Sequence, residues 1–341
     1  MPELRFAIFG TGFWSRYQLA GWRELPGVKC VAVYNRTRAK AETFALSNGI
    51  PSVYDNPDRL IEEIRPDFID VITNPETHRQ FVELAAQHKI PVICQKPMAA
   101  SLADAESMVQ TCRQAGVPLL INENWRWQTP LRELKRILDS GKIGNVFRAR
   151  IDYCNSYPVF DNQPFLKNVE RFILTDIGSH IFDATRFLFG EAAWLCCQTH
   201  RVHRDIKGED VATTMMQMRS GATVVCNMSY ASRVEHDKFP ETFVLVEGSE
   251  GSVALGPDYW IRITTREGTM ARRYPPQFYP WADSRYEVVH SSIVDCQRDL
   301  LQALRNGGHA ETTGEDNLKT LKLVYAAYQS VAAGTIIRLN P

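Results

Sequence analysis

With 341 residues, 44% of them hydrophobic, the chain is long enough for two domains with cores of their own. Its 39 Lys and Arg balance 39 Asp and Glu, so the charge points neither to nucleic acid nor to an anionic membrane. No apolar stretch approaches the roughly 20 residues of a membrane span, and the short run before Gly10 is too brief for a signal peptide. The eight cysteines are scattered without a Cys-x-x-Cys pair, which argues against a disulfide framework and for a reduced, cytoplasmic protein.

Phe6 to Phe9 is an apolar run of the kind buried on both faces of a parallel sheet. It stops at Gly10-Thr11-Gly12, and Trp14, Tyr17, Gly21 and Trp22 then recur at helical spacing. A strand, a glycine turn and a helix in that order offer a pyrophosphate the bare N–H groups of a helix N-terminus. Gly10 permits the tight turn, Gly12 lets the backbone approach the phosphates, and Ser15 replaces the third glycine of the fingerprint.

Val28 to Tyr34 reads as the second strand and Ala39 to Ser47 as the helix after it. An NAD-preferring fold usually places Asp or Glu where that strand ends. Here stand Asn35-Arg36-Thr37-Arg38, with Lys40 close behind and no carboxylate before Glu42. Such a set suits a 2′-phosphate, so NADP is the preferred cofactor; NAD stays acceptable if Arg36 only stacks on adenine.

Phe68 to Thr73 is the next strand, ending at Asn74-Pro75-Glu76-Thr77-His78, where the proline suits the first turn of a helix to His88. Ile90 to Cys94 ends in Gln95-Lys96-Pro97, and Ser101 with Asp104 opens a helix to Ala115. Val117 to Ile121 is a further strand, followed by Asn122-Glu123-Asn124-Trp125-Arg126-Trp127. Strands alternating with helices predict a parallel, doubly wound sheet, whose ligands lie outside the carboxyl ends of the strands. Gly10, Asn35, Asn74, Lys96 and Asn122 all occupy those ends.

From about Arg148 the rhythm changes. A strand to Cys154 leads into a long loop with Asn155, Tyr157, Phe160, Asp161, Asn162 and Lys167, then a helix over Thr175 to Phe189. Strand-like runs follow at 193–202, 212–218, 222–230, 242–247, 252–255 and 259–265, the pattern of a largely antiparallel sheet. Helices at 286–306 and 315–333 and a short strand at 336–339 close the chain. The expected division is an α/β Rossmann domain over 1–125 and an α+β domain with a large open sheet over 126–341. The end of the chain is free to pack back on the first domain.

Two places carry chemistry. Ile177, Ile181, Ala184 and Leu188 should face the core of their helix, which puts Asp176, His180 and Asp183 together on a neighbouring face. A histidine flanked by carboxylates is a candidate general base; the alternative is a capping Asp176 and a structural histidine. Lys96 can hold a substrate hydroxyl and stabilise the alkoxide as hydride leaves, or else simply pair with Glu123 or a phosphate. Cys196, Cys197, His200 and His203 crowd together like metal ligands. Strand alternation would send the two cysteines to opposite faces, and the spacing fits no zinc finger, so no metal site is expected.

Gly10-Thr11-Gly12-Phe13-Trp14, Gln95-Lys96-Pro97 and Asp176-x-Gly178-x-His180-x-x-Asp183, at these separations, resemble the glucose–fructose oxidoreductase/inositol dehydrogenase/rhizopine-catabolism (Gfo/Idh/MocA) family over nearly the whole chain. Gln95 departs from the family's glutamate. The resemblance implies reversible NAD(P)-dependent oxidation of a secondary hydroxyl on a sugar, sugar derivative or inositol-like polyol. It gives Lys96 hydroxyl binding and proton relay, His180 acid–base catalysis, and Asp176 the positioning of substrate and histidine. Cofactor contacts are expected from Gly10, Thr11, Gly12, Phe13, Trp14, Asn35, Arg36, Thr37, Asn74, Pro75, His78, Gln95, Lys96 and Asn124. Arg126, Asn155, Tyr157 and Asp161 are candidates for the remaining substrate hydroxyls, with Trp125 or Trp127 as an apolar wall. A homodimer or homotetramer is implied. Two other functions stay open: bound NAD(P) used transiently during elimination or glycoside cleavage, and a non-catalytic regulator, which should have lost Lys96 or His180.

Overall fold

The structure, a computed structural model, describes residues 3–307 and 309–339. The chain divides into two compact units. The first takes in the chain up to Asn124 together with Pro280–Ala282 and Ile293–Leu321; the second takes in Trp125–Tyr279, Asp283–Ser292 and the chain from Lys322.

Unit 1 is built on six parallel strands, β1 (Leu4–Phe9), β2 (Val28–Tyr34), β3 (Ser52–Tyr54), β4 (Phe68–Val71), β5 (Val92–Gln95) and β6 (Leu119–Asn122), in the order β3-β2-β1-β4-β5-β6. That is the doubly wound dinucleotide-binding order. Phe6, Ala7, Ile8 and Phe9 are all fully buried, as a strand covered on both faces requires. Between the strands run α1 (Phe13–Arg23), α2 (Arg38–Asn48), α3 (Pro57–Ile64), α4 (Pro75–Gln87) and α5 (Leu102–Ala115). Ser101 Oγ accepts the Asp104 N–H at 3.0 Å, the N-cap its spacing predicts.

The strand ends differ from the sequence reading for a simple reason. β5 and β6 start at Val92 and Leu119, just beyond Pro91 and Pro118, which have no N–H to give a ladder. β3 and α3 were not anticipated: three half-buried residues at a sheet edge carry no period to read. The later stretch Ile293–Leu321 joins this unit through buried amides. Gln297 Nε2 donates to the Gln18 carbonyl at 3.0 Å and to Gln18 Oε1 at 2.8 Å.

Unit 2 contains α6 (Thr129–Asp139), β7 (Val146–Cys154), α7 (Val159–Asn162), α8 (Ser179–Phe189) and β8 (Ala192–His200). After them come β9 (Val211–Met218), β10 (Thr223–Ser229), β11 (Phe243–Gly248), β12 (Gly251–Leu255), β13 (Trp260–Thr265) and β14 (Gly268–Arg273). Two long helices, α9 (Glu287–Asn306) and α10 (Gly314–Ala333), contribute residues to both units, and β15 (Ile337–Arg338) ends the sheet. The nine strands lie in the order β14-β13-β12-β11-β7-β10-β9-β8-β15. Every neighbouring pair is antiparallel except β7 with β10. Burial alternates along the central strands: Val224, Cys226 and Met228 are buried, while Thr223, Val225 and Asn227 are half-buried.

Three features of this unit were not read from the sequence. β14 is exposed along its whole length and so shows no alternation. α6 lies immediately after the expected domain junction. The helix expected over Thr175 to Phe189 is two pieces, a π-helical turn at Leu174–Gly178 running into α8.

Candidate active site

In unit 1 a cavity of about 240 Å³ opens where β1, β2 and β4 end. Gly10, Thr11 and Gly12 form one wall, Asn35, Arg36, Thr37 and Lys40 a second, and Thr73, Asn74 and Thr77 a third, with Tyr34, Ile72 and Phe81 between them. Gly10 has φ +108°, and a Cβ there would stand 2.4 Å from the Ile72 carbonyl oxygen, so only glycine fits. A Cβ on Gly12 would meet nothing of the chain within 4 Å, which leaves room for a group bound against the turn. Ser15, in place of the third fingerprint glycine, is buried and donates its hydroxyl to the Gly10 carbonyl at 3.1 Å, bracing the turn from behind.

Asn35 is spent on the same bracing. Its Nδ2 donates to Thr11 Oγ1 at 2.7 Å, and its Oδ1 accepts the Thr37 N–H at 2.9 Å. Of the cations, Arg36 and Lys40 line the cavity, whereas Arg38 pairs with Glu42 at 2.9 Å. No carboxylate is among the lining residues. A pyrophosphate and ribose match this donor set: backbone N–H groups at a helix start, hydroxyls and two cations.

Seven of the expected cofactor contacts line this cavity: Gly10, Thr11, Gly12, Asn35, Arg36, Thr37 and Asn74. Phe13, Trp14, Pro75, His78, Gln95, Lys96 and Asn124 do not. Phe13 and Trp14 sit in the first turn of α1, their rings edge-on at 5.2 Å. Pro75 opens α4, and Asn124 is buried beyond β6. His78 is fully buried among backbone carbonyls. Its Nε2 lies 3.0 Å from the Thr73 oxygen, and its Nδ1 lies 3.2 Å from those of Pro97 and Met98. Burial pushes its pKa down. The ring thus ties the turn carrying Asn74 to the turn carrying Lys96, a role that needs both turns to be in view. Gln95 Oε1 folds back to accept the Lys96 N–H at 2.8 Å, leaving the half-buried lysine at the end of β5.

In unit 2 Asp176 lies in the π-helical turn, a feature common at functional sites. Glu209 holds the start of that turn: its carbonyl accepts the Ile173 N–H at 3.1 Å, and its Oε1 accepts the Leu174 N–H at 3.3 Å. Tyr153 and Tyr230 are near enough to Asp176 that its charge adds to burial in pushing both hydroxyl pKa values up. These tyrosines, one in β7 and one just beyond the end of β10, were not picked out from the sequence. His180 follows in α8 and is buried against Trp125, the two rings stacked at 4.4 Å and 23°.

Arg126, expected to hold a substrate hydroxyl, has its guanidinium engaged elsewhere. Nε donates to Asp183 Oδ2 at 2.7 Å and Nη2 to Oδ1 at 2.5 Å, with both side chains buried. Asp183, expected to flank His180, is therefore an ion-pair partner of Arg126. Asn155 is buried, with its Oδ1 accepting the Tyr157 N–H at 3.1 Å. Tyr157 stacks on Phe239 and reaches the Tyr286 hydroxyl at 3.3 Å. Asp161 is exposed on α7. Cys197 is buried, receiving the Thr214 hydroxyl on its sulfur, while Cys196 is half-buried on the other face. Among the described residues no three His, Cys, Asp or Glu side chains come together as a metal site.

Comparison with known proteins agrees with this architecture. Residues 4–123 match the oxidoreductase family with an NAD-binding Rossmann fold, and residues 131–254 match the GFO/IDH/MocA C-terminal domain. The chain is 42% identical over 340 residues to a D-apiose dehydrogenase of Paraburkholderia graminis, covering 100% of this chain and 91% of that protein. It is 39% identical to a D-apiose dehydrogenase of Rhizobium rhizogenes, covering 100% and 99%. A crystal structure of an oxidoreductase from Agrobacterium radiobacter in complex with NAD+, L-tartaric acid and magnesium superposes with a TM-score of 0.96, at 38% identity over 98% of each chain. The chain thus belongs to the Gfo/Idh/MocA oxidoreductase family and is a nicotinamide-dependent dehydrogenase of sugars or polyols.

Proposed function

We propose that the protein oxidises D-apiose, with unit 1 as the cofactor domain and unit 2 as the substrate domain. The observation that carries the substrate is likeness along the whole chain to two D-apiose dehydrogenases. When bound, the nicotinamide supplies the acceptor for the carbon-bound hydrogen. Lys96 holds the reacting hydroxyl through its ammonium and stabilises the negative charge that grows on oxygen. His180 takes the hydroxyl proton, and Asp176 orients the substrate beside it. Tyr157, Asn155 and Asp161 serve the other hydroxyls, and the bidentate pair with Asp183 argues against Arg126 joining them.

The cofactor reading rests on the cavity of unit 1. Arg36 and Lys40 line it without an opposing carboxylate, which supports acceptance of NADP+ as well as NAD+. Eight free cysteines support a reducing, cytoplasmic setting. A second copy of the chain is assigned to the open face of the nine-stranded sheet, where Val225 and Leu245 stand half-buried. Light scattering should then give at least a dimer, and a monomer at micromolar concentration would remove that assignment.

The test of function is nicotinamide reduction by purified protein with D-apiose, other pentoses and myo-inositol, each with NAD+ and with NADP+. D-Apiose should give the highest kcat/KM, and reduction by the others alone would overturn the substrate. His180→Ala should lower kcat by about 10²–10⁴-fold. Arg36→Ala should cost roughly 10- to 100-fold in kcat/KM with NADP+, the worth of one charge-assisted contact, and leave NAD+ within about threefold. Equal losses with both cofactors would sink the 2′-phosphate role.

A further inference from the structure

The turn Trp125–Trp127 grips α8 at two points. Arg126 pairs with Asp183 through two hydrogen bonds, and the neighbouring Trp125 lies flat on the ring of His180, one helical turn before Asp183. Trp125 is itself held: its Nε1 donates to Thr242 Oγ1 at 3.1 Å, and its ring meets Tyr153 edge-on at 5.7 Å. All of these side chains are buried, so none has room to swing away.

From this arrangement we infer that Trp125 and the Arg126–Asp183 pair are positioning residues for His180. The inference rests on His180 being the base of the proposed reaction. An imidazole works as a base only when one ring nitrogen is held in line with the proton it takes. A histidine side chain turns about two bonds. The helix limits the first, and an indole stacked on one ring face blocks rotation about the second. The ion pair fixes the indole in turn, because Arg126 is its chain neighbour and is tied by both guanidinium edges to the same helix that carries His180. The clamp therefore sets the plane of the imidazole and acts on the reaction only through that ring.

The experiment is a double-mutant cycle in the full-length protein, with steady-state kinetics and circular dichroism to confirm folding. The variants are Trp125→Leu, Trp125→Phe, His180→Ala, and Trp125→Leu combined with His180→Ala. Trp125→Leu should lower kcat roughly 10- to 100-fold with KM changed less than about threefold. Trp125→Phe, which keeps a flat ring, should recover most of that loss. In the His180→Ala background Trp125→Leu should have no further effect.

Multiplying effects, or a loss confined to KM, would overturn the inference and make Trp125 a direct wall for the substrate. Full kcat in His180→Ala would remove the base itself, a different failure from a silent Trp125. The double replacement Arg126→Met with Asp183→Leu removes both charges without stranding either, so it should fold. It too should lower kcat by about tenfold with KM little changed, and wild-type kcat in it would take the ion pair out of the clamp.

Discussion

Asp70 in unit 1 and Asp183 in unit 2 are both fully buried carboxylates, and the molecule accommodates them in opposite ways. Asp183 meets a guanidinium that bonds both of its oxygens. Asp70, in the middle of β4, receives only the Trp22 indole N–H on Oδ2 at 2.8 Å, and its Oδ1 has no hydrogen-bond partner among the described residues. Burial pushes the Asp70 pKa up to about 7, against the pull of that one bond. A buried acid with a cationic partner becomes a fixed link between segments 57 residues apart. A buried acid without one becomes a group that holds its proton close to neutral pH.

The largest effect should come from breaking the link. Arg126→Ala removes the guanidinium that bonds both oxygens of the buried Asp183 carboxylate and should cost about 3–5 kcal/mol in a denaturant titration. Replacing both partners, as Arg126→Met with Asp183→Leu, should be close to neutral in stability, because no charge is then left buried. A single replacement costing less than about 1 kcal/mol would erase the contrast between the two acids.

The next effect depends on pH. Asp70 keeps its proton in the folded state up to about pH 7, while in the unfolded chain it ionises near 3.8. Its favourable contribution is therefore complete below the unfolded value and is lost as pH rises through the folded one. The full loss is on the order of 4 kcal/mol, of which about 3 falls between pH 5 and pH 8. Asp70→Asn keeps an acceptor for Trp22 and cannot ionise. The variant should therefore show a flatter stability profile than the wild type over that window, measured by urea unfolding at each pH. Parallel profiles would mean that Asp70 does not titrate there.

The same pair of acids shows what was legible in the sequence. The glycine turn, the Asn35–Lys40 stretch, Lys96, and the helix with Asp176 and His180 stand out in the sequence because their chemistry is local. So do the central strands, whose apolar runs or alternation lie within a few residues. Asp70 drew no attention, since one carboxylate inside Phe68–Val71 does not spoil an apolar run. Asp183 was placed correctly on its helix but without its partner, because nothing near it in the chain names Arg126. Trp125 on His180, and His78 between two turns, are likewise contacts between segments far apart in sequence. Helical spacing also misses a π-helical turn, where the register slips just before α8.

The smallest predicted effect isolates the one side-chain hydrogen bond that Asp70 makes among the described residues. Trp22 is buried, with its ring 5.5 Å from Phe6 and 5.4 Å from Phe68, so Trp22→Phe keeps an aromatic ring in place and removes the N–H. Part of its cost is the smaller ring, and that part should not vary with pH. The other part is the lost bond. At pH 5 Asp70 is protonated and the bond is between neutral groups; at pH 8 it serves a buried carboxylate, where such a bond is worth more. Trp22→Phe should therefore destabilise by about 1 kcal/mol more at pH 8 than at pH 5. In an Asp70→Asn background that difference should vanish, since neither partner then changes charge. A difference that survives in that background would have to come from another titrating group, and the rise in the Asp70 pKa would lose its explanation as burial opposed by a single indole.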